Sequence, residues 1–223
     1  MVKLLFENGA DVNIFNRNRY TPLMTSCRNS SLPVVKYFIA HGSDYRIIAY
    51  TNKFIGLTRG SINGKENIIK YLIEHGADIN KAYQFKENTL HCACQKGNEK
   101  IAKYLIEHGD NIKIVDTFGF SPLFVSCRSG NENLVKYLVK LGADINKENK
   151  YAETPLFYAC KGGNEKNVEY LVEQGSDIHK VIDVINSPKD IFHPHIYYGI
   201  GRLRTKENII KYLIELKRKS KYG

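Results

Sequence analysis

A glycine-x-aspartate signal, or a close variant of it, recurs along most of the chain at a nearly constant spacing. Its six copies begin at Gly9, Gly42, Gly76, Gly109, Gly142 and Gly175, and the spacings between these glycines are 33, 34, 33, 33 and 33 residues. A fixed period of this size predicts a repeat array, in which each unit buries its apolar faces against its neighbours. We therefore expect a stack of similar units rather than one globule around a single core.

Each period carries two helical patterns before its glycine. The first begins at a Thr-Pro or Ser-Pro pair such as Thr154-Pro155, where the hydroxyl can cap the helix and proline at the first helical position loses no needed hydrogen bond. The second places apolar residues such as Leu134 and Leu138 on one face. Gly142 then ends this helix where a left-handed backbone is required. The unit is predicted to be a helix-turn-helix.

The stretch Thr154-Pro-Leu-Phe-Tyr-Ala-Cys-Lys-Gly-Gly-Asn-Glu, followed by Tyr170-Leu-Val-Glu-Gln-Gly-Ser-Asp, resembles an ankyrin repeat. The motif recurs in register over nearly the whole chain. The resemblance implies an all-α ankyrin-repeat solenoid of stacked helix-turn-helix units with short β-turn or hairpin tips.

The register divides the chain into units of a single array. They are a partial first unit at 1–13, full units at about 14–46, 47–80, 81–113, 114–146 and 147–179, and a degenerate last unit at about 180–223. Because the chain begins inside a second helix at Val2, we expect a fragment, a domain boundary or an incomplete gene model. The last unit carries an insertion at 181–195, for which an extended loop is one hypothesis, and a degraded first helix near 198–204.

Composition narrows the class of protein. The chain is 43% hydrophobic, which excludes a disordered protein, and it carries a formal net charge of +10. No apolar run is long enough to span a bilayer, and the N-terminus does not resemble a signal peptide. We therefore expect a cytoplasmic protein, with the nucleus as the alternative, no membrane contact, and a monomer. The excess of Lys and Arg indicates an acidic partner or simply a solvated surface.

Four of the five cysteines occupy one register of the first helix, at Cys27, Cys94, Cys127 and Cys160. Packed helices lie about 8–10 Å apart, beyond the reach of a disulfide, so we predict a packing role with no disulfide and no zinc. The histidines that precede a helix-ending glycine are expected to contact the last helical carbonyls; they are His41, His75 and His108. The pair His193 and His195 falls in the insertion and is assigned to a surface loop.

No catalytic set is found in the sequence. The stretches 60–66 and 199–204 imitate nucleotide-binding loops, but the first is one residue short and the second lacks the third glycine. We therefore predict neither an enzyme nor a cofactor, and no small-molecule substrate.

A tyrosine recurs in the middle of the second helix in six units, and a lysine precedes it in five of them, as in Lys136-Tyr137. A nucleic-acid interface would use such an aromatic and basic stripe. We favour the alternative that the ring packs half-buried between neighbouring units and that the lysine extends to water.

The resemblance also implies where a partner binds, because ankyrin arrays use the turn tips and the exposed side of the first helix as a concave recognition face. The residues at these positions vary between units while the frame does not, and Glu153 is assigned to the same face. The predicted contact residues are Arg17, Asn18, Tyr20, Arg28, Phe85, Lys96, Phe118, Phe120, Arg128, Lys150, Tyr151 and Lys161.

We therefore predict a non-catalytic protein-binding module whose partner has an acidic and partly apolar surface. Two alternatives stay open. One is an adaptor or substrate-targeting segment of a larger protein, and the other, which we consider weaker, is a basic array that binds nucleic acid.

Overall fold

The computed structural model describes residues 2–18, 20–29, 32–44, 65–80, 82, 84–186 and 206–222, and the chain divides into two compact units, Met1–Asp110 and Asn111–Gly223. Helices make up the regular structure of the described residues, and no strand occurs among them. Residues 45–64, which include the start of the unit predicted at about 47–80 and most of the stretch 60–66, lie outside the described residues. So do the stretch 199–204 and the pair His193 and His195.

The first compact unit contains six helices among its described residues. They are α1 (Val2–Glu7), α2 (Pro22–Asn29), α3 (Leu32–Ala40), α4 (Glu66–Glu74), α5 (Thr89–Gln95) and α6 (Glu99–Glu107), with a short 3₁₀ turn at Gln84–Lys86. Where both helices of a repeat are described in this unit, the first packs on the second, as α2 does on α3 and α5 on α6. The second helices also form a row, because α3 contacts α4 and α4 contacts α6.

The second compact unit repeats this arrangement. Its described helices are α7 (Pro122–Ser129), α8 (Glu132–Lys140), α9 (Pro155–Lys161), α10 (Glu165–Glu173), α11 (Ile178–Asn186) and α12 (Lys206–Tyr222). The first helices α7 and α9 pack together, and so do the second helices α8 and α10. Each unit is therefore an all-α stack of helical pairs, as the period predicts.

Most helix boundaries lie where the sequence signals place them. Thr154 caps α9 by accepting a hydrogen bond from Phe157 N, whereas Ser121 occupies the same position before α7 without a capping side-chain bond. Four of the second helices, α4, α6, α8 and α10, begin at a glutamate such as Glu132, whose charge suits the positive end of the helix dipole. Gly142 follows α8 with a left-handed φ of 84°. The observed bounds of these helices therefore agree with the local signals in the sequence.

Residues 181–186 do not form the loop that was one hypothesis for the insertion. They belong to α11, which begins at Ile178 and buries Ile178, Val181 and Ile185 at helical spacing. Helix α11 packs on α9 and α12, so it occupies the place of a first helix directly after the Gly175 turn. The residues of 181–195 beyond Asn186 lie outside the part of the chain that is described.

Helix α12 is longer than the other second helices. In α4, α6, α8 and α10 a glycine follows ten residues after the first glutamate, as Gly175 follows Glu165, but Lys217 stands at that distance from Glu207. Without the left-handed glycine the helix continues to Tyr222.

The cysteine register lies in the core of the stack. Cys27, Cys94, Cys127 and Cys160 are buried and free, and Cys92 is buried and free beside them. Burial raises the pKa of the Cys27 thiol to about 12, so this side chain stays a neutral thiol at physiological pH. The sequence prediction of a packing role agrees with this environment.

The tyrosines of the second helices are half-buried, as expected, but their lysines do not simply extend to water. Lys70 donates a 2.7 Å hydrogen bond to Glu66 in its own repeat, and its Nζ lies 5.2 Å from the ring centroid of Tyr104 in the next. Lys136 bonds Glu132 at 2.6 Å and lies 5.6 Å from the Tyr170 ring. Each of these lysines therefore joins two repeats.

The histidines at the helix ends confirm their predicted contact. The Nδ1 atoms of His41, His75 and His108 lie 2.7, 2.7 and 2.8 Å from the carbonyl oxygens of Tyr37, Tyr71 and Tyr104. Each imidazole also lies against the ring of the same tyrosine, with centroid separations of 4.0, 3.9 and 3.9 Å. The tyrosine and histidine thus close the last turn of their helix together.

Candidate functional site

Three turn tips share one hydrogen-bonded frame. In the tip before α7, the Asp116 carboxylate accepts bonds from Phe118 N at 2.8 Å and Phe120 N at 2.9 Å. Asn149 holds the tip before α9 through its side-chain oxygen in the same way, as Asn16 does in the first compact unit. Burial raises the pKa of Asp116, although these backbone bonds lower it in part. The frame therefore holds the main chain from which the variable side chains project.

Gly119 lets the tips before α7 and α9 approach closely. Its φ is 89°, and a Cβ atom there would lie 3.0 Å from the Asn149 Cα and 3.2 Å from the Lys150 nitrogen. Across this contact Lys150 N donates a 2.9 Å hydrogen bond to the Phe118 carbonyl. The corresponding residue of the next tip, Ala152, also has a positive φ of 61°. A hydrogen bond between their main chains therefore joins the two tips.

This junction brings the predicted aromatic residues of the second compact unit together. The half-buried rings of Phe118 and Tyr151 stack with their centroids 6.5 Å apart. Phe120 instead meets Phe124 and Tyr158 edge-on, at 5.6 and 5.3 Å between centroids. Phe118 and Tyr151 thus sit at the tips, while one side of the Phe120 ring is used in packing.

The predicted cations of this unit differ in their surroundings. Lys150 is exposed, whereas Arg128 and Lys161 are half-buried in the last turns of α7 and α9. The Lys161 ammonium lies 5.7 Å from the Phe157 ring centroid and 5.8 Å from that of Tyr158. Burial lowers the pKa of Lys161, the nearby Glu153 carboxylate opposes that effect, and the Arg128 charge adds to it. Lys161 is thus a cation in a partly apolar setting.

Glu153 does not lie on the exposed face to which the sequence assigned it, because it is only 1% exposed. Its Oε2 accepts hydrogen bonds from Asn149 Nδ2 at 2.7 Å and from the Tyr158 hydroxyl at 2.8 Å. Burial, followed by the Glu153 charge, raises the pKa of Tyr158 well above its ordinary range. Tyr20 and Phe120 occupy the same register and are half-buried. The aromatic residues at this position were therefore a sequence signal that it turns inward.

The predicted residues of the first compact unit are also placed on tips and helix ends. Arg17 and Asn18 are exposed at the Asn16 tip, and the half-buried Tyr20 ends it. Arg28 is exposed in the last turn of α2. Phe85 is 40% exposed in the 3₁₀ turn with a φ of 61°, and the exposed Lys96 follows α5.

Two further features are absent from the described residues. These residues contain no group of three or more His, Cys, Asp or Glu side chains placed to hold a metal ion. None of the helices described combines the length and the apolar character that crossing a membrane requires.

Comparison with known families identifies the repeat. The family model for ankyrin repeats, which spans three copies, matches residues 1–83, 57–149 and 90–182. These matches confirm the resemblance and the predicted fold class. Ankyrin repeats are generally protein–protein interaction modules and are typically non-catalytic. None of the curated proteins matches the chain.

Proposed function

Because the chain belongs to the ankyrin repeat family, we propose that it is a non-catalytic protein-binding module. Its partner contacts the turn tips and the exposed sides of the first helices. The proposed contact residues of the first compact unit are Arg17, Asn18, Tyr20, Arg28, Phe85 and Lys96. Those of the second are Phe118, Phe120, Arg128, Lys150, Tyr151 and Lys161.

The observation that carries the proposal is the cluster in the second compact unit. The stacked rings of Phe118 and Tyr151 lie on two tips that a backbone hydrogen bond joins, beside the exposed Lys150. Aromatic side chains and arginine are the residues that dominate binding energy in protein interfaces, especially when little entropy is lost on ordering them. The hydrogen-bonded frame therefore supports a preformed binding surface.

The chemistry of this cluster selects the partner. Its cations outnumber its acids, and its rings offer half-buried apolar area, so the complementary surface is acidic and partly apolar. An adaptor or substrate-targeting role would use the same surface to hold a second protein. The cytoplasmic or nuclear location and the monomeric state stay predictions, as does the single continuous array.

The proposal is tested by affinity capture with the full chain as bait. The site variant combines Phe118→Ala with Arg128→Glu, which removes one ring and reverses one charge. A matched control in the same compact unit combines Leu141→Ala with Lys140→Glu, because Leu141 is a 44% exposed apolar residue beside an exposed lysine at the end of α8.

We expect the site variant to lose the proteins that the wild type and the control both retain, while all three show the same circular dichroism. Equal capture by wild type and site variant would refute the assignment of this surface. Loss with the control alone would move the interface to the end of α8. Binding of nucleic acid at low salt, strongly weakened as salt rises, would instead favour the basic-array alternative.

A further inference from the structure

Arg128 and Lys161 form a pair of cations one repeat apart. Each lies in the last turn of its first helix, and the two helices α7 and α9 pack together. The Arg128 charge is close enough to contribute to the lowered pKa of Lys161. Two long, flexible cationic side chains therefore start from neighbouring turns of adjacent helices.

These two cations are half-buried and lack an anionic contact among the described residues. Lys70, Lys103, Lys136 and Lys180 each bond a glutamate. Neither the Arg128 guanidinium nor the Lys161 ammonium forms an ion pair or donates a hydrogen bond to any residue in the described ranges. Both are half-buried, so water does not fully replace the missing partner.

The nearest acid does not fill this role. The Glu153 carboxylate lies near Lys161, but it is buried and its Oε2 already accepts hydrogen bonds from Asn149 and Tyr158. It offsets one of the two positive charges from beneath the surface. One positive charge remains uncompensated, next to the rings of Phe157 and Tyr158.

We propose that Arg128 and Lys161 together bind one carboxylate of the partner, supplied by an Asp or Glu side chain or by a chain terminus. The remaining charge of +1 matches a carboxylate better than a phosphate dianion. The carbon atoms next to that carboxylate pack against the Phe157 ring. We call this pair of cations the carboxylate anchor. It adds to the proposed function a chemical group that the partner must carry. It rests on the proposed function in one respect, that the carboxylate belongs to a protein.

The anchor is tested on the full chain without knowledge of the natural partner. The probes are the capped dipeptide acetyl-aspartyl-phenylalanine amide, its asparaginyl counterpart and inorganic phosphate, each titrated at low salt. The readout is NMR of the Arg128 Nε and Lys161 Cε resonances, assigned by substitution. We expect saturable shifts of both with the aspartyl probe, and a rise in the pKa of Lys161 when it is bound.

The matched variants are Arg128→Gln, Lys161→Gln and Lys161→Arg, with Lys140→Gln as a control for the loss of one surface charge. Either site substitution to Gln should weaken the aspartyl probe about tenfold and abolish its advantage over the asparaginyl probe, since a charged hydrogen bond is lost. Lys161→Arg should retain binding, and Lys140→Gln should leave it unchanged.

Three results would overturn the anchor. They are unshifted Arg128 and Lys161 resonances, equal binding of the aspartyl and asparaginyl probes, and tighter binding of phosphate than of the aspartyl probe. Each of these outcomes is distinct from failure of the proposed function. Capture experiments that yield no partner, together with saturable aspartyl binding, would refute the function and keep the carboxylate site.

Discussion

Asn167 offers a direct test of how this stack is stabilised. It lies on α10 in the register of Ile68, Ile101 and Leu134, and like them it is buried, at 1% exposure. Neither its Oδ1 nor its Nδ2 has a hydrogen-bond partner. A buried polar group without a partner costs about 1–3 kcal/mol, so this residue weakens the second compact unit.

The substitution Asn167→Leu removes this cost with little change of shape. Leucine branches at Cγ as asparagine does, so two methyl groups replace the amide oxygen and nitrogen, and overpacking is minimal. We expect the free energy of unfolding to rise by about 2 kcal/mol, from relief of the unpaired amide. For a chain of this length the melting temperature should rise by about 4–8 °C.

The assay is urea denaturation followed by circular dichroism, with the midpoint compared at constant slope. The control Asn133→Leu changes an exposed asparagine on α8 and should alter stability by less than about 0.5 kcal/mol. The reverse change, Leu134→Asn, should destabilise by about 2–4 kcal/mol. If Asn167→Leu left the midpoint unchanged or lowered it while Asn133→Leu was neutral, the reasoning from the buried amide would be wrong.

Two further predictions concern the tips. Burial raises the pKa of Asp116, so the folded state binds its proton more tightly, and this group lowers stability as pH rises above the ordinary aspartate value of 3.8. Asp116→Asn introduces the residue that the neighbouring tip carries at this position. In urea denaturation, the free energy of unfolding of the variant relative to the wild type should rise from pH 3.5 to pH 7. A fall in this difference over the same range would contradict the prediction. Gly119→Ala places a Cβ atom 3.0 Å from the Asn149 Cα, and we expect a loss of about 1–3 kcal/mol in the same measurement. Ala152→Gly is its control, and it should stabilise or be neutral because φ there is 61°; equal effects of the two changes would refute the close approach.

The sequence predicted those features that depend on local chemistry repeated every period. Glu132 and Gly142 mark the two ends of one helix in the sequence and in the structure, because an acid at the start and a left-handed glycine at the end act over a single turn. The cysteine at Cys127 could be assigned to the core in the same way. A residue type that recurs at one register must suit the same environment in each unit.

Features that depend on a departure from the period were harder to predict. Helix α11 was missed because its pattern begins at Ile178, directly after the turn, where other units place a tip. The burial of Glu153 depends on Asn149 and Tyr158, which satisfy its carboxylate through contacts that charge alone does not reveal. The candidate contact residues were assigned from the resemblance, and the capture experiment tests them.

The lysines that join two repeats have a consequence for how the stack unfolds. Lys136 bonds a glutamate of its own repeat and covers a tyrosine ring of the next, so its charge contributes to the coupling between repeats as well as to the stability of one. The contact between α10 and α12 is different. Glu169 stands where the other units have this lysine, and it accepts a 2.9 Å hydrogen bond from the Tyr212 hydroxyl. Salt screens a cation near the surface more than it weakens a neutral hydroxyl's bond. Raising the ionic strength should therefore weaken the lysine contacts between repeats before the Tyr212 contact. The unfolding transition should then become less cooperative and broader, in addition to any fall of its midpoint.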